Sequence, residues 1–204
     1  MSAACLPANR EREPDGAVVP IRLDASARPS VLAHLLDLSA NDRRLRFGRL
    51  APPDVVAAYV AGIDFTRDAI LGIRGAGAIL AGVAHVAFED EAAEVALSVL
   101  GGCRCRGLAT SLFASAVRQV RMRGTTRLYM QFLAANAPIA RIAQRFGMDL
   151  RERGSDAEAH LLLAPDARAL PSADARRPAG NVVPLASRRT PEARETQETN
   201  PGSR

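Results

Sequence analysis

The segment richest in chemistry runs Val99-Leu-Gly-Gly-Cys103-Arg104-Cys105-Arg106-Gly107-Leu108-Ala109-Thr110-Ser-Leu112, where an alternating apolar run gives way to a basic, Gly-containing turn and then to helical spacing. A helix N-terminus has unpaired N–H groups and a partial positive charge, so such a turn can hold a pyrophosphate. That requires close approach to the backbone. Gly107 and Ala109 supply the small profile, and Arg104 and Arg106 add charge. Taken alone, a turn of this kind serves equally as an ordinary strand-to-helix connection. Other glycine-rich phosphate sites fit less well: a P-loop needs a Lys, and the chain has none. A dinucleotide-binding turn needs a parallel βαβ unit, whereas the sequence upstream reads as an antiparallel meander.

The elements that would position this turn follow from periodicity. Val18 to Leu23 reads as an opening strand, and Pro29 and Ser30 start an amphipathic helix through Leu32, Leu35, Leu36 and Leu38. A second helix begins after Pro52 and Pro53 and runs to Gly62. Two extended runs, Ala69 to Ile73 and Ile79 to Phe88, are joined by Gly75-Ala76-Gly77, and a third, Glu94 to Leu100, completes the meander. In that third run Val95, Leu97 and Val99 share one face, and Glu94, Ala96 and Ser98 the other. Gly107 to Arg121 is then a helix placing Leu108, Leu112, Ala116 and Val120 on one side. A strand at Arg127 to Leu133, a helix from Asn136 or Pro138 to Phe146, and short strands at Met148 to Arg151 and His160 to Leu163 complete an α+β class.

Composition narrows the functional classes. The chain has 204 residues and 27 basic side chains, all Arg, giving a net charge of +5. The arginines are dispersed and not interleaved with aromatics, which ranks a nucleic-acid binder last. Cys5, Cys103 and Cys105 are odd in number and have no nearby His, so neither a secreted disulfide framework nor a zinc site is expected. No apolar run is long enough to span a bilayer, and a cytoplasmic location is expected. Residues 1–16 and 166–204 read as disordered arms around a single domain, 17–165.

The turn resembles the Arg/Gln-x-x-Gly-x-Gly/Ala motif of the GNAT superfamily of acyl-CoA N-acyltransferases, as Arg104-x-x-Gly107-x-Ala109. Asn136-Ala-Pro-Ile-Ala-Arg-Ile-Ala-Gln-Arg-Phe-Gly147-Met148 is similar to that family's Asn-x-x-Ala-x-x-Leu-Tyr-x-Lys-x-Gly-Phe segment. The resemblance implies the GNAT fold, a splayed sheet flanked by helices, with the pantetheine arm of acetyl-CoA lying between central strands. It implies a cofactor site of Leu97, Val99, Arg104, Arg106, Gly107, Leu108, Ala109, Thr110 and Asn136, no metal, an amine acceptor on a protein lysine or a small molecule, no nucleic acid or membrane partner, and a monomer or homodimer. For Asn136 a plain helix cap is an equal alternative. The family's usual Tyr, often the general acid for the departing thiolate, aligns with Ala143, which excludes a Tyr mechanism there.

The implied reaction is direct transfer of an acetyl group from acetyl-CoA to a primary amine. The amine must lose a proton, and Glu94 is the candidate general base, since Ala93-Glu94-Val95-Ala96 is similar to the Glu context of bacterial protein-lysine acetyltransferases, the nearest branch. A solvated strand-end carboxylate is the competing reading, and His85 is the second candidate. A backbone N–H between Leu97 and Val99 would stabilise the oxyanion. Ser39-Ala-Asn-Asp-Arg43-Arg44-Leu-Arg46-Phe47 resembles a Ser-Pro-x-x-x-Tyr-x-Arg-Phe segment bordering the acceptor cleft, with Arg46 and Phe47 fixing a loop. A non-catalytic acyl-CoA-binding regulatory module is the alternative function, because the Tyr is missing.

Overall fold

Seven strands form one sheet in the order β1-β2-β3-β4-β5-β7-β6: β1 Ile21–Leu23, β2 Ala69–Arg74, β3 Leu80–Phe88, β4 Ala92–Val99, β5 Arg127–Leu133, β6 Asp149–Arg153 and β7 Asp156–Leu162. The computed structural model describes residues 18–164, so the expectations for the two terminal arms lie outside the described residues. Every neighbouring pair is antiparallel except β4 and β5, which run parallel. Five helices complete the unit: α1 Arg28–Asp37, α2 Ala40–Phe47, α3 Pro53–Ala61, α4 Leu108–Met122 and α5 Ala137–Arg145.

The α4 helix buries the expected stripe of Leu108, Leu112, Ala116 and Val120, and with it Phe113 and Val117, and packs against β2, β3 and β4. Its close seat depends on Gly82. A Cβ there would lie 3.0 Å from Leu112 Cδ1 and 3.3 Å from Val99 Cγ2. On the opposite side, α1 packs on α3 and β3. The Arg28 side chain ties the start of α1 to the end of α3 by donating to the carbonyls of Val60, Ala61 and Ile63, where a helix C-terminus favours a cation.

Two sequence expectations change. The segment expected as a loop around Arg46 and Phe47 is helix α2: Ser39 Oγ accepts the Asp42 N–H at 3.1 Å, and Gly48 ends the helix in the left-handed region at φ 70°. The final strand begins at Asp156, not His160, because a turn at Gly154, φ 61°, pairs the whole of β6 with Asp156 to His160 of β7 as a hairpin.

Candidate functional site

Only three residue pairs join β4 to β5: Ala92 with Arg127, Ala93 with Leu128, and Glu94 with Tyr129. Beyond Glu94 the two strands separate. Leu100 N–H donates to Ala81 O on the β3 side at 2.9 Å, so by the alternation of an antiparallel ladder Leu97 and Val99 turn their N–H and C=O groups toward the gap left by β5. The result is an open backbone edge in the middle of a sheet. It is the geometry needed to bind an extended amide-rich chain or to donate to a developing oxyanion.

The C-terminal end of this edge meets the N-terminus of α4. After β4 a single 3-10 turn, Gly101–Cys103, leads through Cys105, φ 60°, to Gly107, φ 76°. Gly107 caps α4 with no side-chain hydrogen bond, so the first-turn N–H groups of Leu108, Ala109 and Thr110 have no capping side chain. A Cβ on Gly107 would meet nothing within 4 Å; its requirement is the left-handed backbone. Arg104 bridges the mouth, its Nη2 2.7 Å from Asp42 Oδ1 on α2 and its Nε donating to Val99 O at 3.3 Å. Burial acts to raise the Asp42 pKa, but hydrogen bonds from Ser39 and Arg104 outweigh it and hold the carboxyl below its ordinary value.

Edge and cradle open on one cavity of about 330 Å³, walled by α2, β4, the post-β4 turn, α4 and α5. Of the ten residues nominated from sequence, Leu97, Val99, Arg104, Gly107, Leu108, Ala109, Thr110 and Asn136 line it; Glu94 and Arg106 do not. Arg106 is exposed on the turn. Asn136 takes the helix-cap role, its Oδ1 accepting Ile139 N–H, while its Nδ2 donates to Leu45 O, each at 3.4 Å, so it caps α5 and holds α2 to it. Ala143 is fully buried behind the cavity wall, and neither tyrosine lines the cavity.

Glu94 is not the solvated carboxylate of the competing reading: it is 1% exposed, on the face of β4 turned toward α1–α3. It occupies the last rung before the strands part. The Leu97 amide lies three residues farther along β4, about 10 Å at the usual strand rise. Across the rung, burial first and then the carboxylates of Glu94 and Glu89 push the Tyr129 phenol far up, and its O–H donates to Glu89 at 3.0 Å. His85, the second candidate base, is buried with both ring nitrogens engaged, Nδ1 2.6 Å from Tyr59 Oη and Nε2 2.9 Å from Asp68 Oδ2. Asp68 is itself held at about 2: burial opposes the shift, and hydrogen bonds from His85 and Arg67 overcome it.

Two polar groups, His34 and Arg46, make contacts that the sequence reading did not assign to them. His34 on α1 has Nδ1 2.7 Å from Leu80 O, an acceptor only, so Nδ1 carries the proton and Nε2 accepts the hydroxyl of Ser98 at 2.9 Å. Burial lowers the His34 pKa to about 4, with the Arg46 charge adding to it, so the ring is neutral at pH 7. Ser98 lines the cavity with its O–H committed to His34, and thus presents only lone pairs. Arg46 on α2 also lines the cavity and donates from Nη2 to Tyr59 Oη at 2.9 Å. A His in an amphipathic helix reads as packing until its partner strand is known, and Arg46 sat in the stretch taken for a loop.

The chain superposes on solved acetyltransferases over nearly their whole length. The GNAT domain of PAT from S. lividans matches with a TM-score of 0.62 at 17% identity, covering 73% of this chain and 93% of that one. The fold is the GNAT fold. A ribosomal-protein-alanine N-acetyltransferase from Brucella melitensis matches with a TM-score of 0.57 at 16% identity, covering 71% of this chain and 99% of that one. RimL, a ribosomal alpha-N-protein acetyltransferase in complex with coenzyme A, matches with a TM-score of 0.55 at 15% identity, covering 72% and 94%. No family model and no curated protein matches the sequence. Among the described residues no helix is long and apolar enough to cross a membrane, and no group of three or more His, Cys, Asp or Glu is placed to hold a metal ion.

Proposed function

We propose that this chain is an N-acetyltransferase that moves an acetyl group from acetyl-CoA to a primary amine by direct attack in a ternary complex. The observation that supports it best is the meeting of the open β4 edge and the uncapped N-terminus of α4 in one cavity. The first-turn amides of α4 take the pyrophosphate. The pantetheine arm runs along β4 between Leu97 and Val99, pairing its amides with the backbone that β5 leaves unpaired.

In this reading the amine lone pair attacks the thioester carbon, and the N–H of Leu97 or Val99 stabilises the charge that develops on oxygen. Glu94 receives the amine proton through ordered water, since its buried position and the strand spacing separate it from the reacting carbon. Collapse of the intermediate breaks the C–S bond. The departing thiolate, with a pKa of about 8.5, leaves without a tyrosine donor and takes its proton from solvent. Arg104 helps hold the cofactor once its link to Asp42 exchanges for phosphate.

A second reading, an acyl-CoA-binding regulatory module, is favoured by the buried Ala143 and by the absence of Glu94 from the cavity wall. One experiment separates the two. Acetyl-CoA affinity is measured by calorimetry, and CoA release is followed over a panel of protein lysines, protein N-termini, polyamines, aminoglycosides and amino acids. Binding with turnover of any amine supports the enzyme; binding without turnover on the whole panel supports the module; no binding removes both.

A further inference from the structure

The Arg46 guanidinium is in an unusual electrostatic state. Its Nε and Nη1 are shielded from water and make no hydrogen bond among the described residues. No ion pair joins it to a carboxylate there either. Asp42, one helical turn earlier, is engaged by Arg104 at 2.7 Å and by Ser39 at 2.7 Å. The rings it lies over, Phe47 and Tyr59 at 5.1 and 5.4 Å, are uncharged, and His34, whose pKa its charge lowers, is neutral. A buried polar group is ordinarily hydrogen-bonded and a buried charge ordinarily paired, so this arrangement points to a partner outside the chain.

The geometry of the group narrows that partner. Tyr59 Oη takes one of the two Nη2 hydrogens. Whichever one it takes, the other still completes a two-donor edge, with Nε or with Nη1. Such an edge matches the two oxygens of a carboxylate. Because the guanidinium is already largely desolvated, an arriving anion meets a stronger field than at an exposed Arg. In the same cavity, Ser98 offers only acceptor lone pairs, which suit an N–H and not a second anion.

We infer that Arg46 forms a carboxylate-binding subsite in the wall of the cavity, and that one of the two substrates carries a carboxylate. This rests on the proposed acyl-CoA reading and adds a substrate class to it. The carboxylate has two sources, the far end of a dicarboxylic acyl group on CoA or the acceptor amine's own molecule.

The test uses calorimetry on the full chain, in two arms. In the first, acetyl-CoA and succinyl-CoA are titrated into wild type, Arg46→Gln and Arg46→Lys. In the second, CoA-loaded protein receives a panel of amino acids and the corresponding carboxamides. In one arm the carboxylate-bearing member binds wild type about tenfold more tightly or better, Arg46→Gln erases the difference, and Arg46→Lys keeps part of it. The first arm responding places the carboxylate on the donor, the second on the acceptor. Tyr59→Phe removes the partner of Nη2 but keeps the guanidinium, so it retains the preference and substitutes if Arg46→Gln does not fold. Equal binding of charged and neutral members in both arms, with acetyl-CoA still bound, overturns the subsite and leaves the acetyltransferase reading intact. No binding of any acyl-CoA overturns both.

Discussion

Along β4, Val95, Leu97 and Val99 face α4 while Glu94, Ala96 and Ser98 face α1–α3, and the two sides treat polar groups in opposite ways. On the α4 side the β4 side chains are apolar, and the hydrogen-bonding groups that face the cavity there are backbone amides of the open edge and of the helix terminus. On the α1–α3 side polar side chains, buried or half-buried, are chained together, Arg46 to Tyr59 to His85 to Asp68, and Ser98 to His34. A backbone site needs only a particular chain path, so it tolerates wide change in side chains. A side-chain network depends on every partner, because a group left unpaired in a buried setting costs about 1–3 kcal/mol. The α4 side, where the proposed cofactor would bind, therefore depends on the chain path, and the other side on the identity of its side chains.

The strongest way to break that contrast is Glu94→Gln. If the polar face carries the proton transfer, turnover of an accepted amine falls about 10²–10⁴-fold at neutral pH, recovers in part in alkali where the amine deprotonates unaided, and leaves acetyl-CoA affinity unchanged. Full activity at pH 7 would assign the proton to solvent. On the backbone side, Gly107→Asp puts a carboxylate beside the expected pyrophosphate at a φ of 76°, and acetyl-CoA affinity falls about a hundredfold, roughly 3 kcal/mol. The circular-dichroism spectrum stays that of the wild type, since a Cβ there meets no neighbour and Asp is among the residues that visit the left-handed region. Unchanged affinity in the folded variant would show that phosphate binds elsewhere.

The buried network has its own signature in stability. His34 has a folded pKa of about 4, below its unfolded value, so between these values the unfolded chain binds more protons and stability falls as pH falls. Urea titrations at pH 7 and pH 5 should show wild type losing about 2 kcal/mol more than His34→Gln over that interval. Equal losses would mean that the imidazole is not buried neutral. The smallest effect is expected where the two sides meet. Asp42→Asn releases Arg104 for phosphate, raising acetyl-CoA affinity about threefold, the size typical of a partly exposed ion pair. The gain should vanish at about 1 M salt, where screening is nearly complete over a few ångströms.

The sequence by itself determined the elements whose signals are local. Pro53 and Pro138 near helix starts, Gly62 and Gly147 near helix ends, alternation from Val95 to Val99 and the apolar stripe of α4 each follow from neighbours within a few residues. The turn from Arg104 to Ala109 was legible for the same reason, since a strand, a left-handed glycine and a helix start are consecutive in the chain. What only the tertiary structure decided involves partners far apart. Ser98 and His34 are 64 residues apart, Asp68 and His85 are 17, and Asn136 and Leu45 are 91. Helix α2 had both its signals, Ser39 and Gly48, but with few apolar positions its spacing did not reveal which face would be buried. The parting of β4 and β5 after Glu94 was likewise invisible, because a strand carries no mark of where its neighbour leaves it. That departure exposes the Leu97 and Val99 amides while the packing of α1–α3 covers Glu94, and long-range geometry sets both.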